Sequence, residues 1–172
     1  MKFFLYPLIF LTILFLISTA ALRVFTPQAV FLPHLTLVLV VIFALNRSLP
    51  ETIWFSFIAG FLSELFSGLA FGSQIFAFTM CGIAVYLLTR KITARHVSPP
   101  VVLLVVCGST VAYYLFLSAA SSFFVAFDHR SVLPLGEAMN WSLLWRVVAN
   151  IVLFYPLNFV YKLLPKQDEG SI

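Results

Sequence analysis

Six apolar runs divide this chain, and their lengths constrain its fold more than any other feature. A helix needs about 20 apolar residues to cross the hydrocarbon of a bilayer. Residues 3–22 meet that length between Lys2 and Arg23. The second run, residues 30–45, reaches it only by extending back from Leu35 through Pro33, which is tolerated in a first helical turn. The third covers residues 52–67, after a turn at Asn46-Arg47-Ser48-Leu49 where Pro50 and Glu51 suit a helix start. A reversal marked by Gly68 and Gly72 leads into residues 73–89. Ser98-Pro99-Pro100 breaks the chain before residues 101–127, and the longest loop, Asp128 to Asn140, precedes residues 141–164. The pattern predicts an all-α, polytopic integral membrane protein: one domain of six transmembrane helices over residues 1–164, with a short polar tail at 165–172.

Composition removes the other classes. Only 9% of the 172 residues are charged, against roughly 25% in a soluble globular domain. Disordered chains are poor in aromatics, and this one has 20 Phe. Six spans would use roughly 120 residues, which leaves too little for a second domain. The first run has a charged start and the small residues Ser18-Thr19-Ala20, as a signal peptide does. It is nevertheless longer than the roughly 7–15 residues of a signal core, so a retained helix is expected.

The net charge of +4 does not point to nucleic acid, because the basic residues are scattered singly among apolar runs and a phosphate-binding face needs them clustered. They set orientation instead. With a cytoplasmic N-terminus, Lys2, Arg47, Arg90, Lys91, Arg95, Lys162 and Lys166 lie inside, and only Arg23 and Arg130 lie outside. Both termini are therefore expected in the cytoplasm. The inner cations Arg90, Lys91 and Arg95 also suit contact with the anionic headgroups of the lipid bilayer.

Ionisable residues inside a membrane are the default place to look for function. Glu64 and Arg146 sit within apolar runs, both in the outer half of the expected bundle. Their depths match, and the arginine fork can bind a carboxylate at two points. Two readings stand at this stage: an ion pair between them, or snorkelling of Arg146 to the interface beside Trp141 and Trp145. Ser56, Gly60 and Glu64 recur at a spacing of four and share a helix face, with Gly68 and Gly72 continuing the interval into the turn. Small residues allow the close helix approach that drives association in lipid. That face could pack within the chain or against another protein.

No catalytic constellation stands out. His34, His96 and His129 form no metal-ligand spacing, and there is no nucleophile elbow or P-loop. Cys81 and Cys107 lie far apart in apolar runs and make neither a metal site nor a disulfide framework. The expectation is a protein that is not an enzyme and takes no cofactor and no metal.

Residues 32–88 carry a resemblance. Pro33-His34-Leu35, the stretch Gly60-Phe61-Leu62-Ser63-Glu64-Leu65-Phe66-Ser67-Gly68, Phe71-Gly72 and Gly82 to Tyr86 resemble the rod shape-determining protein MreD family, as do Asn150 and Pro156 in the last run. The chain departs from the family pattern in two places. Glu64 stands where Asp is usual, and His34 stands where Asn or Asp is common, so no role is carried to His34. The resemblance implies a non-catalytic scaffold of the cell-elongation complex in the bacterial inner membrane. Its implied partners are the bitopic protein MreC and, indirectly, actin-like MreB and the wall-synthesis polymerase and transpeptidase. The alternative is a substrate-binding membrane subunit of an energy-coupling-factor vitamin transporter, also a six-helix protein. A vitamin site would need convergent polar groups in an outward-facing pocket.

Overall fold

The computed structural model describes residues 34–65, 69–92, 99–124, 136 and 141–163. Its regular elements are five α-helices: α1 (Leu35–Asn46), α2 (Leu49–Glu64), α3 (Ser73–Ile92), α4 (Pro99–Phe124) and α5 (Trp141–Leu163). Three contain stretches long and apolar enough to cross a membrane: Ser73–Arg90, Pro100–Phe124 and Trp141–Tyr161. The expected helix over 3–22, the tail 165–172 and Gly68 lie outside the described residues.

α1 is the centre of the bundle. Its sequence is apolar on every side, as a fully enclosed helix requires. Thr36, Leu37, Val38, Val40, Val41, Ile42, Phe43 and Ala44 are all buried. α2, α3, α4 and α5 each pack on it, and each also packs on its neighbour in chain order. The four helices thus form an arc around α1, with α2 and α5 at its two ends. Leu37, Val41 and Ile42 of α1, Phe78 of α3, Tyr113 of α4 and Phe154 of α5 form the middle of the core.

Two helix starts differ from the sequence expectation. Sequence places the second helix back through Pro33 to residue 30; residues 30–33 lie outside the described residues, and the described helix is not continuous with them. His34 takes a non-helical backbone (φ −83°, ψ 79°) and α1 begins after it. The His34 amide donates across the bundle to Asn150 Oδ1 at 2.7 Å, so this chain break has a partner in the interior. Twelve residues reach about 18 Å at the usual rise per residue, short of a roughly 30 Å hydrocarbon layer.

α2, in contrast, starts three residues earlier than expected. The Glu51 carboxylate accepts from both the amide (3.1 Å) and the hydroxyl (3.0 Å) of Ser48, and Pro50 sits in the first turn where its missing donor does no harm. α4 likewise incorporates Pro99 and Pro100 at its start.

The outward faces are apolar. On α5, Trp141, Trp145, Val148, Val152, Tyr155 and Phe159 form one exposed stripe, and on α2 Trp54, Phe57, Phe61 and Leu65 form another. Their spacings of three and four put each set on one side of its helix. Such surfaces suit lipid chains, which are as apolar as leucine.

Candidate functional site

The α2–α3 seam is built from small residues. Thr52, Ser56, Gly60 and Glu64, one turn apart on α2, are all buried. A Cβ on Gly60 would lie 2.6 Å from the Ile75 Cα and 3.0 Å from the Gln74 carbonyl oxygen. Glycine is therefore what lets the two backbones touch there. Ser56 in turn packs on Gly82 of α3. Of the face that sequence alone left open between internal and external packing, Ser56, Gly60 and Glu64 pack against α3.

Glu64 closes this seam. It is the last residue of α2, not a turn before its end, and its carboxylate reaches the start of α3. Glu64 Oε2 accepts from the Gln74 amide at 2.8 Å and the Ile75 amide at 3.3 Å. The first amides of a helix lack partners within it, and the helix dipole favours an anion at that end. The negative end of α2 therefore presents its carboxylate to the positive end of α3. Gly72 shapes the approach, with φ +95° in the turn before α3, a region side-chain-bearing residues rarely adopt.

From Glu64 a polar path runs into the bundle. Gln74 Oε1 accepts from the Tyr113 hydroxyl of α4 at 2.5 Å. The Tyr113 ring lies against His34 (4.9 Å between centroids), Phe78 (4.8 Å) and Tyr114 (5.2 Å). The Tyr114 hydroxyl accepts from Arg146 Nη1 of α5, and the guanidinium carbon stands 5.2 Å from the Tyr114 ring centre. One turn further in, Asn150 Nδ2 donates to Thr110 Oγ1 at 3.1 Å, while Asn150 Oδ1 holds the His34 amide. Tyr114 and Thr110 on α4 thus face Arg146 and Asn150 on α5 as two rungs, each helix using a spacing of four.

Glu64 and Arg146 are not brought together as an ion pair among the described residues. The Glu64 carboxylate serves the amides of α3, and Arg146 bonds a phenol. Tyr113 and Tyr114 lie between them. Snorkelling does not describe Arg146 either, since its guanidinium turns inward to Tyr114 and Nε is buried. Sequence reasoning assigned no role to Gln74, Thr110, Tyr113 or Tyr114, and named Asn150 only as part of the family resemblance. The usable signal was the shared i, i+4 spacing of Thr110 with Tyr114 and of Arg146 with Asn150.

Chemically, this interior is suited to holding helices in register. Several of its donors and acceptors meet across seams, and the Cys81 thiol donates to the Ser109 carbonyl at 3.4 Å, while the buried Ser56, Ser73 and Thr79 hydroxyls and Arg146 Nε have no hydrogen-bond partner among the described residues. Among the described residues no group of three or more His, Cys, Asp or Glu could hold a metal ion.

Fold and interior together define a class: an all-helical protein with apolar helices long enough to cross a membrane, whose buried polar side chains link helix to helix. The family model described as rod shape-determining protein MreD matches residues 1–166, and the chain belongs to that family. Membership assigns it to the determination of rod shape in cells, and the apolar helices fit a membrane protein. No curated protein and no solved structure matches the chain.

Proposed function

We propose that the chain is a non-catalytic scaffold of the cell-elongation complex, spanning the bacterial inner membrane six times with both termini in the cytoplasm. In this reading it holds the bitopic protein MreC and, through the assembly, connects the actin-like MreB filament with the wall-synthesis polymerase and transpeptidase. The observation that carries the reading is the mutual bonding of the buried polar side chains. Glu64 with the start of α3, Gln74 with Tyr113, Arg146 with Tyr114 and Asn150 with Thr110 join helices to one another. Glu64 and Arg146, the two interior charges a vitamin site could use, each bond another helix of the bundle instead.

Depletion of the protein in its source bacterium, with copurification of a tagged copy from the same cells, tests this. The expected result is rounded cells and recovery of MreC. Rod-shaped cells with an energy-coupling ATPase in the eluate would overturn the scaffold reading.

A further inference from the structure

α5 carries two features that a wholly lipid-facing surface has reason to avoid. The first is Pro156 within the helix. Proline has no amide, so the Val152 carbonyl one turn earlier lacks the donor that an α-helix supplies. Such a carbonyl is tolerated in hydrocarbon where a neighbouring helix or side chain meets it, and no side chain among the described residues does so. The second is Tyr155. Its ring stands edge-on to Phe154 at 6.1 Å between centres, and half of the residue is exposed. Its hydroxyl has no hydrogen-bond partner among the described residues. The apolar stretch of α5 ends at Tyr161, about 9 Å beyond Tyr155 at the usual rise, and helical side chains lean toward the N-terminus. The phenol therefore stands deep in the apolar stretch, not at its edge.

These groups share one face. Val148, Val152, Tyr155 and Phe159 are 43%, 67%, 50% and 65% exposed. Their spacing of four, three and four is that of a seam between two helices crossing at a small angle. α5 packs on α1 and α4, and this face turns away from both. The stripe on α2 makes the contrast. Phe57, Phe61 and Leu65 are hydrocarbon only, and the proline of α2 sits in its first turn, where no donor is lost.

An acyl chain offers neither donor nor acceptor, whereas the α5 stripe is complementary to itself. It presents a donor, the Tyr155 hydroxyl, and an acceptor, the Val152 carbonyl, three residues apart. Copies of one chain insert the same way round. Two α5 helices side by side therefore run parallel and bring like residues to like depths. The lean of the phenol toward the N-terminus carries its hydroxyl to the level of Val152 across the seam. A two-fold arrangement then makes the same bond twice. Any other membrane protein would need its own donor and acceptor at that depth; a second copy has both. We propose that the outward stripe of α5 is an interface between two copies of this chain, in which the Tyr155 hydroxyl of each donates to the Val152 carbonyl of the other. The contact lies outside the fold of each copy, and it goes beyond the scaffold role without depending on which partners that role involves.

Oxidative cross-linking between two differently tagged full-length copies in native membranes tests this, with Cys81 and Cys107 changed to serine. Val148→Cys, Val152→Cys and Phe159→Cys report on the α5 stripe. Phe57→Cys and Phe61→Cys, exposed on α2, report random collision. Unfolding of each purified variant at the parent's temperature establishes that the bundle is intact. The expected result is disulfide-linked pairs carrying both tags at the three α5 sites, and few at the α2 sites. A second measurement, energy transfer between fluorescently labelled copies in lipid vesicles, compares the parent with Tyr155→Phe, which keeps the ring and removes the hydroxyl. Loss of two bonds of the usual size between membrane helices should weaken association about sevenfold. No linked pairs at the α5 sites, or as many at the α2 sites, would overturn the proposal. Adducts of the α5 sites with another membrane protein in place of the second copy would overturn it too, as would undiminished energy transfer for Tyr155→Phe.

Discussion

The α2–α3 seam and the α4–α5 seam solve the same problem by different means. Two helices in lipid gain little from the hydrophobic effect, so close packing and hydrogen bonds must hold them. At α2–α3 the packing is backbone to backbone at Gly60, and a carboxylate crosses from one helix end to the next. At α4–α5 the helices are held by two side-chain rungs, Tyr114–Arg146 and Thr110–Asn150. α5 also stands further out: 11% of its apolar stretch is buried, against 44% for α3 and for α4. The first seam depends on shape, which any added atom disturbs. The second depends on polar partners, whose loss leaves the packing surface largely unchanged.

Substitutions should separate the two. Gly60→Val is expected to be the most damaging, because its side chain would enter the α3 backbone; overpacking of this kind costs about 3 kcal/mol. Thermal unfolding of the detergent-solubilised protein would register it, and a variant as stable as the parent would mean the seam is not close-packed. Next comes Glu64→Ala, which removes the acceptor of two α3 amides and should cost about 2 kcal/mol. Glu64→Gln, still an acceptor, should recover part of that in the same assay.

At the other seam, a double-mutant cycle on Thr110→Ala and Asn150→Ala should give a coupling of about 0.6 kcal/mol, the usual size for a hydrogen bond between membrane helices. A coupling as large as the Glu64 effect would erase the contrast between the seams. Smallest of all, Val152→Leu on the outward stripe of α5 should change stability by less than about 0.5 kcal/mol, and a larger loss would show that the stripe is packed in the solubilised protein.

Long apolar runs made the later helices legible in the sequence. α4 and α5 begin within two residues of where the breakers at Pro99-Pro100 and the loop before Trp141 place them. α1 was less legible, since its start depends on a hydrogen bond from His34 to a residue 116 positions away. Charge drew attention to Glu64 and Arg146, and both lie in the polar interior. Their partners were hidden for a physical reason. Tyr, Thr, Gln and Asn in an apolar run disturb hydropathy little, and only the register between helices decides whether they meet. Matching depth suggested that the two charges pair, but depth says nothing about which helix end or phenol stands closer.

The brevity of α1 also bears on how the chain is made. A twelve-residue helix is below the 17 or so residues that a stable independent span requires, yet it emerges from the ribosome before the four helices packed on it. Translation must reach Asn150 before the His34 amide can gain its partner. A nascent chain cut before α5 should therefore hold α1 only loosely in the bilayer, and settling of the central helix becomes a late event of synthesis that waits for α5.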